Sequence, residues 1–136
     1  MASDPVPVRL ADGAESGLAH IVLQLLEQDQ AEFEEKRRRA ARLRGRIAMT
    51  ASDHDTSVTL DFRRHEILIY DGAREPLDAS IVGPHPALVR LLQGEAHPLI
   101  EHLRGRLRVH SRLRRLFFPL RLHRLMRLTE GNHAGR

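Results

Sequence analysis

Several residue types that build common functional sites are missing or scarce in this chain of 136 residues. It has no cysteine and no tryptophan, and its aromatic side chains are four phenylalanines and one tyrosine. Without cysteine, the sequence excludes disulfides, thiolate metal sites and a cysteine nucleophile. With so few aromatic rings, it is also poorly suited to a nucleic-acid surface built on base stacking.

Long apolar runs are absent as well. No stretch approaches the roughly 20 apolar residues of a membrane-spanning helix. The first ten residues include Asp4, Pro5 and Pro7 and lack the apolar region of a secretory signal. We therefore expect a cytoplasmic protein, with the inner face of the membrane as its place of peripheral attachment.

Catalytic and metal-binding patterns are also missing. The histidines, among them His85, His97, His102, His110 and His123, are scattered, and no two have the i,i+4 spacing of a helical zinc site. No serine stands in a nucleophile elbow, and no glycine-rich loop of the phosphate-cradling kind is present. We predict no catalytic residue, no metal and no cofactor, and therefore a protein that is not an enzyme.

Acidic residues are missing from the most unusual segment, residues 105–128, where eight arginines and two histidines interleave with apolar side chains. Residues 84–136 carry eleven arginines against three acidic residues, whereas residues 1–83 carry eleven basic and fifteen acidic residues. This asymmetry indicates one of two arrangements. The basic half contacts an anionic surface, either lipid headgroup or nucleic acid, or it packs beside the acidic half.

Helical signals dominate residues 12–44. Asp12 and Glu15 have the spacing of a capping box, which predicts that a helix begins there. The charged run that follows contains three acid-before-base pairs at i,i+4 spacing, Glu32 with Lys36, Glu34 with Arg38 and Glu35 with Arg39. Such pairs are typical of a solvated helix rather than of a nucleic-acid-binding tract.

Alternating apolar residues and turn signals predict five short strands. They contain, in chain order, Ile47–Met49, Val58–Phe62, Ile67–Tyr70, Ala79–Val82 and Leu107–Val109. Residues 63–65 are predicted to join the second and third strands as a tight hairpin, with His65 in a left-handed conformation.

The final segment carries two apolar stripes at helical spacing. At about 100° per residue, one stripe consists of Leu113, Leu116, Phe117 and Leu120, and the other of Phe118, Leu122, Leu125 and Met126. One continuous helix would need cover on both faces, from the sheet and from a ligand, a partner or a membrane. Because Pro119 removes a helical hydrogen bond, two short helices with one apolar face each are the alternative.

Glycines and aliphatic residues recur in a characteristic order. The segments are Gly45-Arg-Ile-Ala48, Val58-x-Leu-x-Phe62, Tyr70-Asp-Gly72, Pro76-x-Asp-Ala-x-Ile-x-Gly83, Leu91-Leu-x-Gly94 and Gly105-Arg-Leu-Arg-Val109. In this order and spacing the chain resembles sterol carrier protein type 2-like domains, in particular bacterial ones, including those of accessory proteins in isoprenoid quinone biosynthesis. It departs from the family in two places. Arg64 and His65 stand where a glycine is usual in the turn between Phe62 and Ile67, and Ser111 replaces the glycine that commonly ends the last strand.

The resemblance implies an α/β (α+β) fold, with a mostly antiparallel five-stranded sheet covered by helices and an internal hydrophobic cavity. We accordingly expect a single lipid-binding domain over residues 14–128. A flexible N-terminus over residues 1–13 precedes it, and a flexible tail over residues 129–136 follows it. Members of the family bind or carry lipids, and no catalytic residue belongs to the shared motif.

A lipid-binding or lipid-transfer module is therefore the function that the sequence favours, with a fatty acyl, sterol-like or isoprenoid ligand. The predicted lipid-binding side chains are Leu88, Leu91, Leu92, Leu99, Leu103, Phe117 and Leu120. The basic C-terminal helix is predicted to contact an anionic membrane through Arg114, Arg115, Phe118, Arg121, Leu122, Arg124 and Arg127.

Two functions from other classes stay open. A non-catalytic accessory or scaffold protein of isoprenoid quinone or lipid biosynthesis would use its C-terminal apolar face for a protein partner or a second copy of the chain. A nucleic-acid binder would use the arginine cluster. The second ranks last, because the chain has few aromatic side chains and no recognisable nucleic-acid-binding motif.

Overall fold

The structure is a computed structural model that describes residues 4–127, so the predicted tail over 129–136 lies outside the described residues. Its framework is a six-stranded sheet with the order β1-β4-β3-β2-β5-β6. The strands are β1 Val8–Leu10, β2 Gly45–Ala51, β3 Thr56–Phe62, β4 Ile67–Asp71, β5 Ala79–Gly83 and β6 Arg108–Ser111. Pairs β2–β3, β3–β4 and β5–β6 are antiparallel, and pairs β1–β4 and β2–β5 are parallel. The predicted mostly antiparallel sheet is confirmed.

Helices pack on this sheet and enclose the core. They are α1 Gly17–Glu32, α2 Glu34–Arg42, α3 His85–Leu92, α4 Pro98–Leu103 and α5 Phe118–Met126, with a 3-10 turn at Leu113–Arg115. Fully buried side chains of the core include Ile47, Met49, Leu60, Ile69 and Ile81 from the strands and Leu26, Leu88 and Leu125 from the helices. Alternate strand residues reach this core because successive side chains point to opposite faces of a sheet.

The sheet has six strands instead of the predicted five, because the segment predicted to be a flexible N-terminus contributes β1. This strand pairs in parallel with β4, with Val8 opposite Ile67. Two residues before the strand, the backbone of Val6 is bound to the side chain of Gln30. Gln30 Oε1 accepts a hydrogen bond of 2.7 Å from Val6 N, and Gln30 Nε2 donates one of 3.0 Å to Val6 O. A three-residue strand is too short for its alternation to stand out in the sequence.

Helix α1 begins later than the predicted capping box. Ser16 is its N-cap, and Ser16 Oγ accepts a hydrogen bond of 3.0 Å from Ala19 N. The backbone amides of Glu15 and Ser16 donate to the carboxylate of Asp71, at the end of β4. These hydrogen bonds, that of Glu15 first, lower the pKa of Asp71. Ser16 thus takes the capping role predicted for Asp12, and a carboxylate from a distant strand holds the two residues directly before the helix.

The charged helix α2 has one buried member. Two of its i,i+4 ion pairs form as predicted, Glu34–Arg38 and Glu35–Arg39. Lys36 turns inward instead, and its Nζ lies 3.0 Å from Oδ1 of Asp29 on α1. The prediction of a solvated pair between Glu32 and Lys36 is wrong, because position 36 shares the buried face of α2 with Ala40, four residues on.

The β3–β4 hairpin closes without a left-handed residue at position 65. Arg63 N donates a hydrogen bond of 2.9 Å to Glu66 O. The non-glycine residue with a positive φ, 49°, among the described residues is Asp55, in the turn between β2 and β3. The prediction of a left-handed His65 is therefore wrong.

The final segment consists of two short helices, the second of the two predicted alternatives. The 3-10 turn ends at Arg115, and α5 begins at Phe118 with Pro119 in its first turn. Proline fits there because the amide groups of the first helical turn have no partner within the helix. The break changes the rotation between the two halves, so the two predicted stripes do not lie on opposite faces of one helix.

Candidate functional site

A narrow interior slot lies between the sheet, α3 and the inner face of α5. Its walls are Met49 and Ile81 of the sheet, Leu91 and Leu92 of α3, and Pro119, Leu122, His123 and Met126 of α5. Two predicted lipid-binding residues, Leu91 and Leu92, therefore line it, and Leu88 is buried on the same helix. The slot measures about 10 Å³, roughly the space of one water molecule, so it is too small to hold a lipid in this conformation.

A larger groove lies on the solvent side of α5. Its volume is about 440 Å³, within the range of small-molecule sites. It is lined by His97, Phe117, Leu120, Arg121, His123, Arg124 and Arg127. Because His123 lines both this groove and the interior slot, its side chain forms part of the wall between them.

A smaller surface pocket of about 140 Å³ lies between α4, β6 and the start of α5. Its walls are Pro98, Leu99, His102, Val109, Ser111, Leu116, Pro119 and Leu120. Pro119 also lines the interior slot, and Leu120 also lines the groove. The N-terminal half of α5 thus separates one buried space from two open ones. The predicted lipid-binding residue Leu103 is exposed and lines none of the three.

His123 is the polar side chain at the wall between slot and groove. Burial, followed by the charges of His97 and Arg127, lowers its pKa to about 4. The His97 and His123 ring centroids are 4.6 Å apart, but His97 Nδ1 accepts its hydrogen bond from Leu99 N instead. Nδ1 of His123 is buried and has no hydrogen-bond partner within residues 4–127. A neutral imidazole in this position can bond to the polar end of an otherwise apolar ligand.

Large apolar side chains are exposed in one part of the described chain, between residues 99 and 117. They are Leu99, Ile100, Leu103, Leu113, Leu116 and Phe117, and we call them the apolar patch. Leu113 is the most exposed of them, at 83%. Leu99 and Leu116 line the same surface pocket, which joins the α4 part of the patch to the part around the 3-10 turn. Scattered single apolar residues are ordinary on a protein surface, but a group of this kind marks a contact surface.

Of the two apolar stripes in the final segment, the one that contains Phe118 is buried, and the one that contains Phe117 faces outward. Phe118 and Leu122, predicted to contact the membrane, are 2% and 3% exposed and belong to the core. The Phe118 ring packs edge-on against Phe62 of β3, with centroids 6.2 Å apart. Phe117, predicted to line the interior cavity, is exposed in the groove. These two membrane-contact assignments are therefore corrected.

Arg115, predicted to contact the membrane, instead binds other residues of the protein. Its guanidinium donates to the backbone carbonyl of Arg44, lies 3.8 Å from Asp78 and covers the Phe118 ring at 5.2 Å. Gly45 makes room for this cluster, since a Cβ there would lie 2.6 Å from both Arg115 Nη2 and Asp78 Oδ2. Arg115 therefore ties the 3-10 turn to the start of β2.

The other predicted membrane-contact arginines keep surface positions. Arg114, Arg121 and Arg124 are exposed, and Arg127 is half-buried in the groove. Sequence reasoning missed Ile100, Leu113 and Leu116 as surface residues and set His123 aside as a scattered histidine. Pro119 is the signal that could have identified Leu113 and Leu116, because a helix that begins at residue 118 buries the second stripe and leaves both leucines outside it.

Within residues 4–127, no cluster of three or more histidine and acidic residues could hold a metal ion. None of the helices in that part of the chain has the length and apolar character to cross a membrane.

Comparisons with known proteins agree with this fold. The model of the SCP-2 sterol transfer family matches residues 23–110, from α1 into β6. A search of curated proteins finds no match.

Solved structures of similar fold have low sequence identity. A structure titled UbiJ-SCP2 ubiquinone synthesis protein is 16% identical with a TM-score of 0.62, covering 80% of this chain and 92% of that one. The apo form of sterol carrier protein 2 from Yarrowia lipolytica is 15% identical with a TM-score of 0.58, covering 85% and 92%. The sterol carrier protein domain 2 of Helicoverpa armigera is 12% identical with a TM-score of 0.58, covering 91% and 96%. At these identities the likeness shows the fold alone.

Proposed function

This chain belongs to the SCP-2 sterol transfer family, and from that premise we propose that it is a lipid-binding and lipid-transfer module. Its ligand is a fatty acyl, sterol-like or isoprenoid lipid. The observation that carries the proposal is the position of α5, whose N-terminal half divides an apolar interior slot from two surface spaces.

An outward shift of α5 is the step that admits the lipid. It would join the interior slot to the groove at His123 and to the smaller surface pocket at Pro119, because each of these residues lines both of the spaces it separates. The inner face of α5 is apolar, with Phe118, Leu122 and Leu125 buried, so a lipid chain can replace their contacts with other apolar contacts. Removing apolar surface from water contributes about 25 cal/mol per Å² before ordering costs.

The seven predicted lipid-binding residues divide by depth in this proposal. Leu88, Leu91 and Leu92 form the inner wall, towards which the apolar end of the lipid points. Leu99, Phe117 and Leu120 border the entrance. Leu103, which is exposed on α4, contacts the lipids of the membrane. The free Nδ1 of His123 lies between the two regions, where it can bond to a polar group of the ligand.

The apolar patch is the surface that meets the membrane. It lies beside the entrance, since Leu99, Leu116 and Phe117 line the two surface spaces. The exposed arginines Arg112 and Arg114 flank Leu113 and favour an anionic bilayer. A lipid that leaves a membrane at this surface would pass directly to the groove.

An accessory role in isoprenoid quinone or lipid biosynthesis is the second candidate. One structure of similar fold is that of a ubiquinone synthesis protein, which supports this role. The apolar patch supports it as well, because a protein partner or a second copy could equally cover it. In this role the chain acts through protein contacts and has no ligand of its own.

Displacement of a fluorescent fatty-acyl probe from lipid-stripped protein tests the carrier proposal. We expect the probe to gain fluorescence on binding and to be displaced by unlabelled lipid, and native mass spectrometry of the protein as purified to reveal a bound lipid. Leu120→Gln, which places an amide at both surface spaces, should weaken probe binding at least fivefold. Leu25→Gln is the matched control, because Leu25 is also half-buried on a helix but lines none of these spaces.

Two results would count against the carrier role. If the folded, stripped protein neither binds the probe nor releases lipid on extraction, the accessory role replaces it. If Leu25→Gln weakens binding as much as Leu120→Gln, the entrance does not lie at α5.

A further inference from the structure

A second groove lies between α2 and the outer face of α5, and its walls are basic. Its volume is about 420 Å³, and it is lined by Arg39, Arg42, Leu43, Arg121 and Arg124. Leu43 is buried and forms its floor. We call the four arginine side chains the arginine basin.

The basin holds positive charge that the described residues do not neutralise. No acidic side chain lines it. Arg39 is held in place, since it pairs with Glu35 and donates a hydrogen bond of 3.3 Å to the backbone carbonyl of Arg124. Arg42, Arg121 and Arg124 are exposed and form no ion pair within residues 4–127. Like charges gathered around one groove favour an anion at its centre.

The basin is continuous with the groove on α5. Arg121 and Arg124 line both spaces, and the groove adds the apolar walls of Phe117 and Leu120. A basic site suited to an anion thus lies directly beside an apolar one on the same helix. A ligand that fills both must carry a charged head and an apolar chain.

We propose that the arginine basin binds the phosphate group of an anionic lipid whose chain lies along Phe117 and Leu120. This inference rests on the proposed function and names the class of ligand. Arginine suits the role because its planar guanidinium offers paired donors to phosphate oxygens and stays charged at all physiological pH values. The three arginines without an ion pair in the described part of the chain, Arg42, Arg121 and Arg124, match the several acceptor oxygens of a phosphate monoester or diphosphate, with Arg39 held beside them.

Calorimetric titration with three soluble probes tests the proposal, each below the concentration at which it aggregates. Decyl phosphate carries both head and chain, decanol the chain alone, and inorganic phosphate the head alone. We expect decyl phosphate to bind at least tenfold more tightly than either of the others. Its affinity should fall as salt is raised, because the contact is electrostatic.

A pair of matched double variants locates the phosphate. Arg42→Gln with Arg121→Gln removes two charges from the basin and should reduce decyl phosphate affinity at least tenfold, with decanol affinity unchanged within twofold. Arg64→Gln with Arg90→Gln removes two charges from exposed positions outside the basin and should change neither. Because all four positions are exposed, we expect both double variants to fold. An unchanged melting temperature checks this.

Each other outcome has a definite meaning. Equal affinities for decyl phosphate and decanol in the wild-type protein overturn the inference and leave the proposed function standing. Inorganic phosphate binding as tightly as decyl phosphate shows a site for free phosphate rather than for a lipid head. An equal loss in the two double variants shows general charge attraction, and binding of neither amphiphile overturns the lipid-binding function together with the inference.

Discussion

The ammonium group of Lys36 lies 3.0 Å from Oδ1 of Asp29 and donates a second hydrogen bond, of 3.4 Å, to the backbone carbonyl of Met126. The side chain is 3% exposed, and its Nζ lies 5.2 Å from the centre of the Phe33 ring. Lys36 is the single lysine of the chain. This one side chain joins α1, α2 and the C-terminal end of α5.

Replacing Lys36 by methionine should destabilise the protein by about 3 kcal/mol, because it leaves the Asp29 carboxylate buried without its partner. Burial already raises the pKa of Asp29, with the Lys36 hydrogen bond acting against it. Urea denaturation at pH 7 measures the effect. Adding Asp29→Leu should recover most of the loss, since an apolar pair replaces the ion pair.

Arg38→Met is the control for that measurement. Arg38 pairs with Glu34 at 3.5 Å on the exposed face of the same helix, so its loss should change the free energy of unfolding by about 0.5 kcal/mol or less. Equal effects of Lys36→Met and Arg38→Met would show that the Lys36 pair is solvated after all.

The pKa of His123 predicts an acid-sensitive step in stability. It is about 4 in the folded protein against 6.5 for the free side chain, so the unfolded chain takes up a proton first as pH falls. The folded state therefore loses stability from about pH 6.5 down to about pH 4. His123→Leu should flatten the stability profile in this window, as measured by urea denaturation at several pH values.

His110→Leu provides the comparison, because His110 is exposed on β6. Its profile should follow that of the wild-type protein. An NMR titration of the His123 ring that gives a pKa near 6.5 would contradict the buried, neutral imidazole at the wall of the slot.

Gly45 should tolerate no side chain. Its φ is +129°, and an added Cβ would lie 2.6 Å from Asp78 Oδ2 and Arg115 Nη2. We expect Gly45→Ala to lower stability by about 2 kcal/mol or more, read as a lower melting temperature in calorimetry. Gly17→Ala, at the first residue of α1 with nothing near its Cβ position, should be neutral or stabilise by about 0.5 kcal/mol. A fall for Gly17→Ala equal to that for Gly45→Ala would remove the steric explanation.

The central part of the fold could be predicted because its signals are local. Val58, Leu60 and Phe62 alternate between turns, and this pattern alone identifies β3. By contrast, β1 depends on its pairing with β4, and the residues before α1 are held by Asp71. Partners so distant in sequence cannot be inferred from spacing.

The candidate site shows the same limit. The sequence predicts Leu91 and Leu92 at the interior, and both are buried there because they fall on the inner face of one uninterrupted helix. A constant rotation per residue through Pro119 predicts Phe118 and Leu122 at the surface, whereas the helix begins only at Phe118 and turns both side chains inward. The arginine basin could not be predicted, since it joins residues of α2 to residues of α5 about 80 positions later.

Attachment to a membrane should depend on the apolar patch. Each buried leucine side chain contributes about 1.5–3 kcal/mol, and each arginine near an anionic bilayer about 1 kcal/mol. The protein should therefore co-sediment with anionic vesicles at low salt and largely detach at high salt. Leu113→Ser with Leu116→Ser should reduce vesicle affinity at least tenfold, because both side chains are exposed in the patch and neither belongs to the core.

The charges beside the patch should act separately from its apolar side chains. Arg112→Gln with Arg114→Gln should lower affinity for anionic vesicles by about tenfold or more and leave binding to neutral vesicles unchanged. Arg64→Gln with Arg90→Gln removes the same charge elsewhere and should have little effect, because attraction decays within a Debye length of about 10 Å. Equal binding of the wild-type protein to neutral and anionic vesicles would remove the electrostatic part of this attachment. If instead no vesicles are bound while nucleic acid binds tightly and with salt dependence, the arginines serve nucleic acid and the membrane contact is wrong.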